Sequence, residues 1–324
     1  MLYNIALLLI GLICLFYGGN WLVRGASNLA LSFGVSVLII SLTLVAIGTS
    51  MPELLVSVQA ALVGKSDLAI GNVIGSNIAN IGLILGATGL ITPLRVKATL
   101  LRREIPIMIF FTAVAIVLSL DGSISRVDGA LLLLSFVGFN ALFFRLAKQE
   151  QAERERLLAD VDEPARDDLE RKREFMLLLL GIGALVLGSR LMVEGAVNLA
   201  RLLGISELVI AVTLVAFGTS LPELAASLSA AYHRQTDLAI GNVVGSNIAN
   251  LLLILGMTAL LRPIVVRREQ LQLEFLVMIA FALLLFPFLR HQRLGRPQSA
   301  LLLGAYAAFI IYSVAAGGLA AFPG

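Results

Sequence analysis

A 46-residue block recurs, without a gap, 170 residues further along the chain, and both copies place a glutamate inside an apolar run. Positions 41–86 and 211–256 are identical at 30 of 46 sites. Each copy holds Gly-Thr-Ser-x-Pro-Glu, ending at Glu53 and Glu223, and then Gly-Asn-Val-x-Gly-Ser-Asn-Ile-Ala-Asn, ending at Asn80 and Asn250. A chain that repeats an expensive feature at a fixed offset is constrained to two equivalent halves that share one centre.

The setting of those glutamates is hydrocarbon. The chain is 59% hydrophobic and 14% charged, outside soluble-globular usage. Ten apolar stretches of membrane-spanning length recur, at about 2–23, 37–62, 68–91, 105–120, 127–144, 175–193, 207–232, 238–261, 273–289 and 299–320. In lipid the backbone must bond to itself, so these runs predict helices. The expected fold is an all-α polytopic membrane protein of about ten transmembrane helices in two inverted five-helix repeats. Met1 to Asn4 lack a basic leader and the first run continues to Val23, so it reads as the first span rather than a signal. Cys14 is the only cysteine, which excludes an intrachain disulfide and a multi-cysteine metal site.

Charge orients the bundle. With ten spans, one set of loops holds 17 Lys and Arg, including the eight of 145–174, and the other holds 7. The richer set is expected in the cytoplasm of a plasma (inner) membrane protein, with both termini outside. The same bias accounts for the basic pI, so no nucleic-acid partner is expected. Five spans per repeat is an odd number, so the copies are inverted relative to one another. The expected division is a first repeat over 1–144, a charged cytoplasmic linker over 145–174 and a second, inverted repeat over 175–324. Asp160, Asp162 and Glu163 lie in that linker without EF-hand spacing, and a solvated linker is the expectation there.

The chemistry is expected at the glutamates. Pro52 lacks an N–H and deprives the Gly48 carbonyl of its helical partner, so a kink or unwound turn should bare carbonyls from Ala46 to Thr49. Bare carbonyls at this depth are tolerated where they line a cavity. Thr49 and Ser50 fall four and three residues before Glu53, on its face of a helix. The second block adds Asn72, Ser76 and Asn80 at intervals of four, a polar stripe on an apolar helix. Asn72 and its equivalent Asn242 are either ligands or hydrogen-bonding glue. Gly71 and Gly75, like Gly82 and Gly86, are packing residues. Asp67 and Asp237 are expected as N-terminal caps. Arg24 and Glu194, equivalent positions near span ends, read as interfacial anchors.

Together the copies supply Glu53, Glu223, Thr49, Thr219, Ser50, Ser220, Ser76, Ser246, Asn80 and Asn250 about a pseudo-two-fold axis. Calcium accepts six to eight oxygens in forgiving geometry, whereas magnesium demands a strict octahedron, so two carboxylates with neutral oxygens favour Ca²⁺. The same oxygens can hold several Na⁺, and competition between the two is a basis for exchange. The lack of Cys or His in the set argues against zinc or copper.

Structural chance is a poor account of the glutamates. A charged residue at a helix centre costs about 2.5–3.5 kcal/mol on insertion scales, and here the cost recurs at equivalent positions. Gly64-Lys65-Ser66 has Gln59 where a P-loop needs its first glycine, so ATP-driven pumping has no support. Ser50 or Ser220 as a hydrolase nucleophile lacks a base. A passive cation channel stays open as an alternative.

With both blocks duplicated, the chain resembles the sodium/calcium exchangers of the cation/calcium exchanger superfamily, above all their compact prokaryotic members, over almost its full length. The resemblance implies antiport of Ca²⁺ against more than one Na⁺ by alternating access, no enzymatic activity and no cofactor. It implies Glu53 and Glu223 as central carboxylates, with oxygens from Thr49, Ser50, Thr219 and Ser220 and the carbonyls of Ala46 and Ala216. Ser76, Asn80, Ser246 and Asn250 would complete the sodium sites. Potassium-dependent relatives have aspartate at the position of Asn250, so K⁺ dependence is not expected. Many relatives have Phe where this chain has Ala79 and Ala249. An H⁺-coupled exchanger is the second reading. The first and sixth spans, without ionisable midpoints, are candidates for the moving gate. The expected partners are the two ions and the bilayer, and the sequence leaves the oligomeric state open.

Overall fold

The computed structural model describes residues 1–157, 168–203 and 216–320. The helices are α1 (Leu2–Phe33), α2 (Val37–Thr49), α3 (Met51–Leu62), α4 (Ser66–Ile91), α5 (100–118), α6 (Arg126–Leu157), α7 (Asp168–Leu202), α8 (Ala216–Thr219), α9 (Leu221–Tyr232), α10 (Thr236–Leu261), α11 (Arg268–Leu289) and α12 (Arg296–Ala320). Among the described residues, six helices are long and apolar enough to cross a membrane, or seven if the bent pair α2–α3 is one span. The count of ten crossings stays an expectation, and 207–215 of the seventh expected span lies outside the described residues. Helix occupies most of the linker, since α6 runs on to Leu157 and α7 starts at Asp168; Asp160, Asp162, Glu163 and Pro164 lie outside the described residues.

Burial sorts the helices. The most apolar stretches of α4 and α10 are 72% and 83% buried, against 17% in α6. The two helices with the Ser/Asn stripes are therefore the core, and α6 turns leucines such as Leu131 and Leu134 outward, as lipid contact requires.

α1 lies along α7 for most of its length. Glycines at seven-residue spacing, Gly11, Gly18 and Gly25 on α1 and Gly181, Gly188 and Gly195 on α7, permit the approach: a methyl added at Gly188 would meet the Gly11 carbonyl at 2.8 Å. Gly82 and Gly86 do the same for α12, facing Tyr306 and Leu303. Gly241 and Gly245 receive Ser41, Leu42 and Ala46 of α2. Two of the residues equivalent to that surface, 211 and 212, lie outside the described residues, so the packing expected of Gly71 and Gly75 is not described.

The halves are laced together at both ends by exchange. Strand β1 (Leu94–Arg95) pairs antiparallel with β4 (Arg293–Leu294), and β2 (Ser123–Ile124) with β3 (Ile264–Val265). Adding 170 to β1 gives β3, and adding 170 to β2 gives β4, so the two ladders are equivalent. The start of α10 meets the segment beyond the end of α4, Lys97 Nζ lying 2.8 Å from Asp237, and the start of α4 meets the segment beyond the end of α10, Arg267 lying 3.7 Å from Asp67. The two core helices therefore run in opposite directions. These contacts correct the cap expectation: Lys65 and Gln235 hold the N-cap positions without a side-chain bond, and Asp67 and Asp237 sit inside the first turn, where their charge suits the helix dipole. Arg24 and Glu194 are exposed, away from the core.

Turn chemistry is repeated at uneven cost. The α3–α4 and α9–α10 turns need a left-handed residue, supplied by Gly64 (φ 84°) and Arg234 (φ 59°); Gly122 (φ 91°) and Gln292 (φ 55°) form the second such pair. Repeat one uses glycine, and repeat two accepts strain. The α6 extension also reaches back to the α1–α2 corner, where the N–H of Ser36, the N-cap residue of α2, donates to Glu150 Oε2 at 2.7 Å.

Candidate ion-binding site

The break in the first glutamate helix is a single residue. Ser50 (φ −82°, ψ 9°) separates α2 from α3, which bend by 45°, with Pro52 in the first turn of α3. Ser220 (φ −87°, ψ 6°) repeats it between α8 and α9. The bend is the kink expected at Pro52, and the expectation of bare carbonyls is corrected at Ala46 alone. The Ala46 carbonyl keeps its helical donor, Ser50 N–H at 3.1 Å. Proline removes only one donor, and in the second copy the carbonyl it frees, Gly218 O, accepts the Ser189 hydroxyl from α7. Ala216 begins α8 directly after residues outside the described set.

The side chains at the two breaks bond across the repeat boundary. Ser50 Oγ donates to Glu223 Oε1 at 2.9 Å, and Ser220 Oγ donates to Glu53 Oε1 at 3.2 Å. Thr49 Oγ1 donates to Asn242 Oδ1 at 3.2 Å, and Thr219 Oγ1 to Asn72 Oδ1 at 3.5 Å. Each Asn holds its own half with its amide N–H groups: Asn72 Nδ2 reaches Glu53 O and Ser57 Oγ, and Asn242 Nδ2 reaches Glu223 O and Ser227 Oγ. Asn72 and Asn242 therefore act as hydrogen-bonding glue.

Glu53 and Glu223 are each 1% exposed. Among the described residues no Lys, Arg or His pairs with either. Their Oε2 atoms have no hydrogen-bond partner, and the same holds for Asn80 Oδ1, Asn250 Oδ1 and Ser246 Oγ. Ser76 is buried and its hydroxyl lies 3.5 Å from Ser220 Oγ. Buried oxygens without donors are costly, and carboxylates without counter-charge far more so. One kind of partner satisfies them together: a hard cation, which carboxylate, amide and hydroxyl oxygens suit. The four π-helical turns of the described residues include 80–85 and 250–254, which begin at Asn80 and Asn250; such turns mark places where a helix departs from regular bonding, often at functional sites.

The structure thus joins Thr49 and Ser50 with Glu223, and Thr219, Ser220 and Ser76 with Glu53, in two equivalent cross-repeat networks, and leaves acceptors of Asn80, Asn250 and Ser246 buried on the two core helices. Sequence reasoning missed Asn247, whose Oδ1 receives the Asn80 amide at 2.9 Å, and Ser189. Asn247 stood inside the duplicated Gly-Ser-Asn block, so its signal was present; Ser189 has glycine at the equivalent position 19 and gave none.

The chain is similar to known proteins over nearly its full length. The family model described as sodium/calcium exchanger protein matches residues 3–145 and 174–315. The chain is 40% identical over 318 residues to the inner membrane protein YrbG of Escherichia coli, covering 94% of this chain and 95% of that one. It is 35% identical over 341 residues to the sodium/calcium exchanger MaX1 of Methanosarcina acetivorans, covering 95% and 97%. The sodium-calcium exchanger NCX_Mj, solved after soaking with 10 mM Na⁺ and zero Ca²⁺, superposes with a TM-score of 0.82 at 35% identity, covering 97% of this chain and 98% of that one.

Proposed function

The chain belongs to the sodium/calcium exchanger family, and on that premise we propose how its buried oxygens exchange Ca²⁺ for Na⁺. The protein is a membrane antiporter of these two ions, not an enzyme, and uses no cofactor. Ca²⁺ binds between Glu53 and Glu223, with oxygens of Thr49, Ser50, Thr219 and Ser220 and the second lone pairs of the Ala46 and Ala216 carbonyls around it. Na⁺ ions occupy overlapping sites completed by Ser76, Asn80, Ser246 and Asn250.

The observation that carries this reading is the pair of buried carboxylates, each held by a serine of the opposite repeat and each with one oxygen lacking any donor. Filling the site with either ion compensates the two charges and lets the halves rearrange. A half-filled site keeps net charge in a low-dielectric core and resists that step. Asn250 is neutral, so two charges are all that the cage offers, and K⁺ has no role.

The protein divides into repeats over 1–144 and 175–324, joined by the linker at 145–174. It sits in the plasma membrane with both termini outside and the linker in the cytoplasm; the distribution of Lys and Arg supports this orientation. If one extra positive charge enters per cycle, the membrane potential adds about 2.3 kcal/mol per 100 mV to Ca²⁺ export.

The test is Ca²⁺ flux in proteoliposomes under an imposed Na⁺, K⁺ or H⁺ gradient, one at a time. Flux driven by Na⁺ alone is expected. Flux driven by H⁺ would replace the coupling ion, and flux that ignores every gradient would replace the antiporter with a channel.

A further inference from the structure

We propose that Asn247 is a positioning residue that, anchored on Met108, turns the carbonyl oxygen of Asn80 toward the ions. This rests on the reading of Asn80 as an ion ligand. An asparagine amide carries one acceptor and two donors, and a cation needs the acceptor. A flipped Asn80 would present N–H groups where the ion needs an oxygen.

The structure holds a chain of bonds that forbids the flip. Asn80 Nδ2 donates to Asn247 Oδ1 at 2.9 Å, and Asn247 Nδ2 points at Met108 Sδ at 3.5 Å. A thioether sulfur accepts and never donates, so Asn247 must present its N–H groups to Met108 and its oxygen to Asn80. Asn80 must then direct its own N–H groups to Asn247, which leaves Oδ1 free, and that atom is buried without a partner. All three residues are 0–1% exposed, so water does not compete. Polarity fixed at a sulfur is thereby passed through two amides to a ligand atom.

The other half of the cage has the parts but not the bonds. Met278 and Asn77 stand at the positions equivalent to Met108 and Asn247. Asn77 Nδ2 instead donates to the Val73 carbonyl of its own helix at 2.7 Å. Asn250 therefore receives no such orientation, and only one of the two amide ligands is preset.

The test measures the Na⁺ concentration for half-maximal Na⁺-driven Ca²⁺ flux in reconstituted full-length protein, with Ca²⁺/Ca²⁺ exchange as the check on folding. Asn247→Ala should raise that concentration about five-fold, the worth of one net hydrogen bond, and Met108→Leu should move it the same way by less. In an Asn80→Asp background, Asn247→Ala should shift it no further, because a carboxylate presents oxygen whichever way it turns. Parental values in Asn247→Ala, or an undiminished shift in the Asn80→Asp background, would overturn the proposal. If Asn247→Ala does not insert, a parental value in Met108→Leu overturns it equally. Parental Na⁺ dependence in Asn80→Ala would remove the ligand reading itself; a defective Asn80→Ala beside an unaffected Asn247→Ala removes the positioning role alone.

Discussion

Ser50 in the first repeat holds Glu223 in the second through a 2.9 Å hydrogen bond, and Ser220 returns the bond to Glu53 at 3.2 Å. Neither carboxylate takes its hydroxyl donor from its own half. Relative movement of the halves must therefore strain or exchange these bonds, so the position of the halves and the state of the acidic cage are physically linked.

Removing that donor isolates its contribution. Ser50→Ala leaves Glu223 Oε1 buried without its donor and should lower apparent Ca²⁺ affinity by roughly 1.5–3 kcal/mol, the range for bonds to charged groups. Ser50→Thr retains the hydroxyl and should stay near the parent. Concentration dependence of Ca²⁺ uptake checks both, and an unchanged Ser50→Ala would deny the bond any role.

Adding charge should act in the opposite sense. Asn250 is buried with Oδ1 unpartnered, so Asn250→Asp places a third carboxylate in the cage and calls for one more positive charge. The Na⁺ concentration for half-maximal exchange should fall, and the Na⁺ dependence should steepen. A rise in that concentration would place Asn250 outside the cage.

The α1–α7 contact yields a packing prediction. A methyl at Gly181 would lie 2.5 Å from the Leu22 backbone nitrogen, whereas one at Gly183 meets nothing within 4 Å. Gly181→Ala should cost about 1–3 kcal/mol as overpacking, and Gly183→Ala should be close to neutral. Thermal unfolding in detergent separates the two.

Backbone strain in the second repeat is correctable. Gln292 adopts φ 55° where the first repeat has Gly122 at 91°. Left-handed geometry costs a side-chain-bearing residue roughly 1–2 kcal/mol, and glycine's unfolded-state freedom offsets part of that. Gln292→Gly should therefore raise the midpoint of thermal unfolding, and Gly122→Ala should lower it.

Much of this was legible in the residues because duplication labels what is functional. The two Pro-Glu breaks and the Ser/Asn stripes followed from an exact offset between the copies. Which hydroxyl meets which carboxylate did not follow. Helical geometry places Ser50 and Glu53 on one face, but sequence spacing says nothing of a partner 173 residues away, and Ser50 is bonded to Glu223. The cap reading of Asp67 and Asp237 failed for the same reason, since Arg267 and Lys97 come from the opposite repeat. The carbonyl reading failed at Ala46 because its helical donor is Ser50 N–H, two residues before the proline, and that bond is kept.

Radiolabelled Ca²⁺ uptake into Na⁺-loaded proteoliposomes, compared for the parent, Glu53→Gln and Glu223→Gln, tests the shared acidic cage most directly. The account predicts Na⁺-driven uptake in the parent and background uptake in both variants, because one remaining carboxylate cannot neutralise a buried divalent ion. Near-parental uptake in either variant would contradict it.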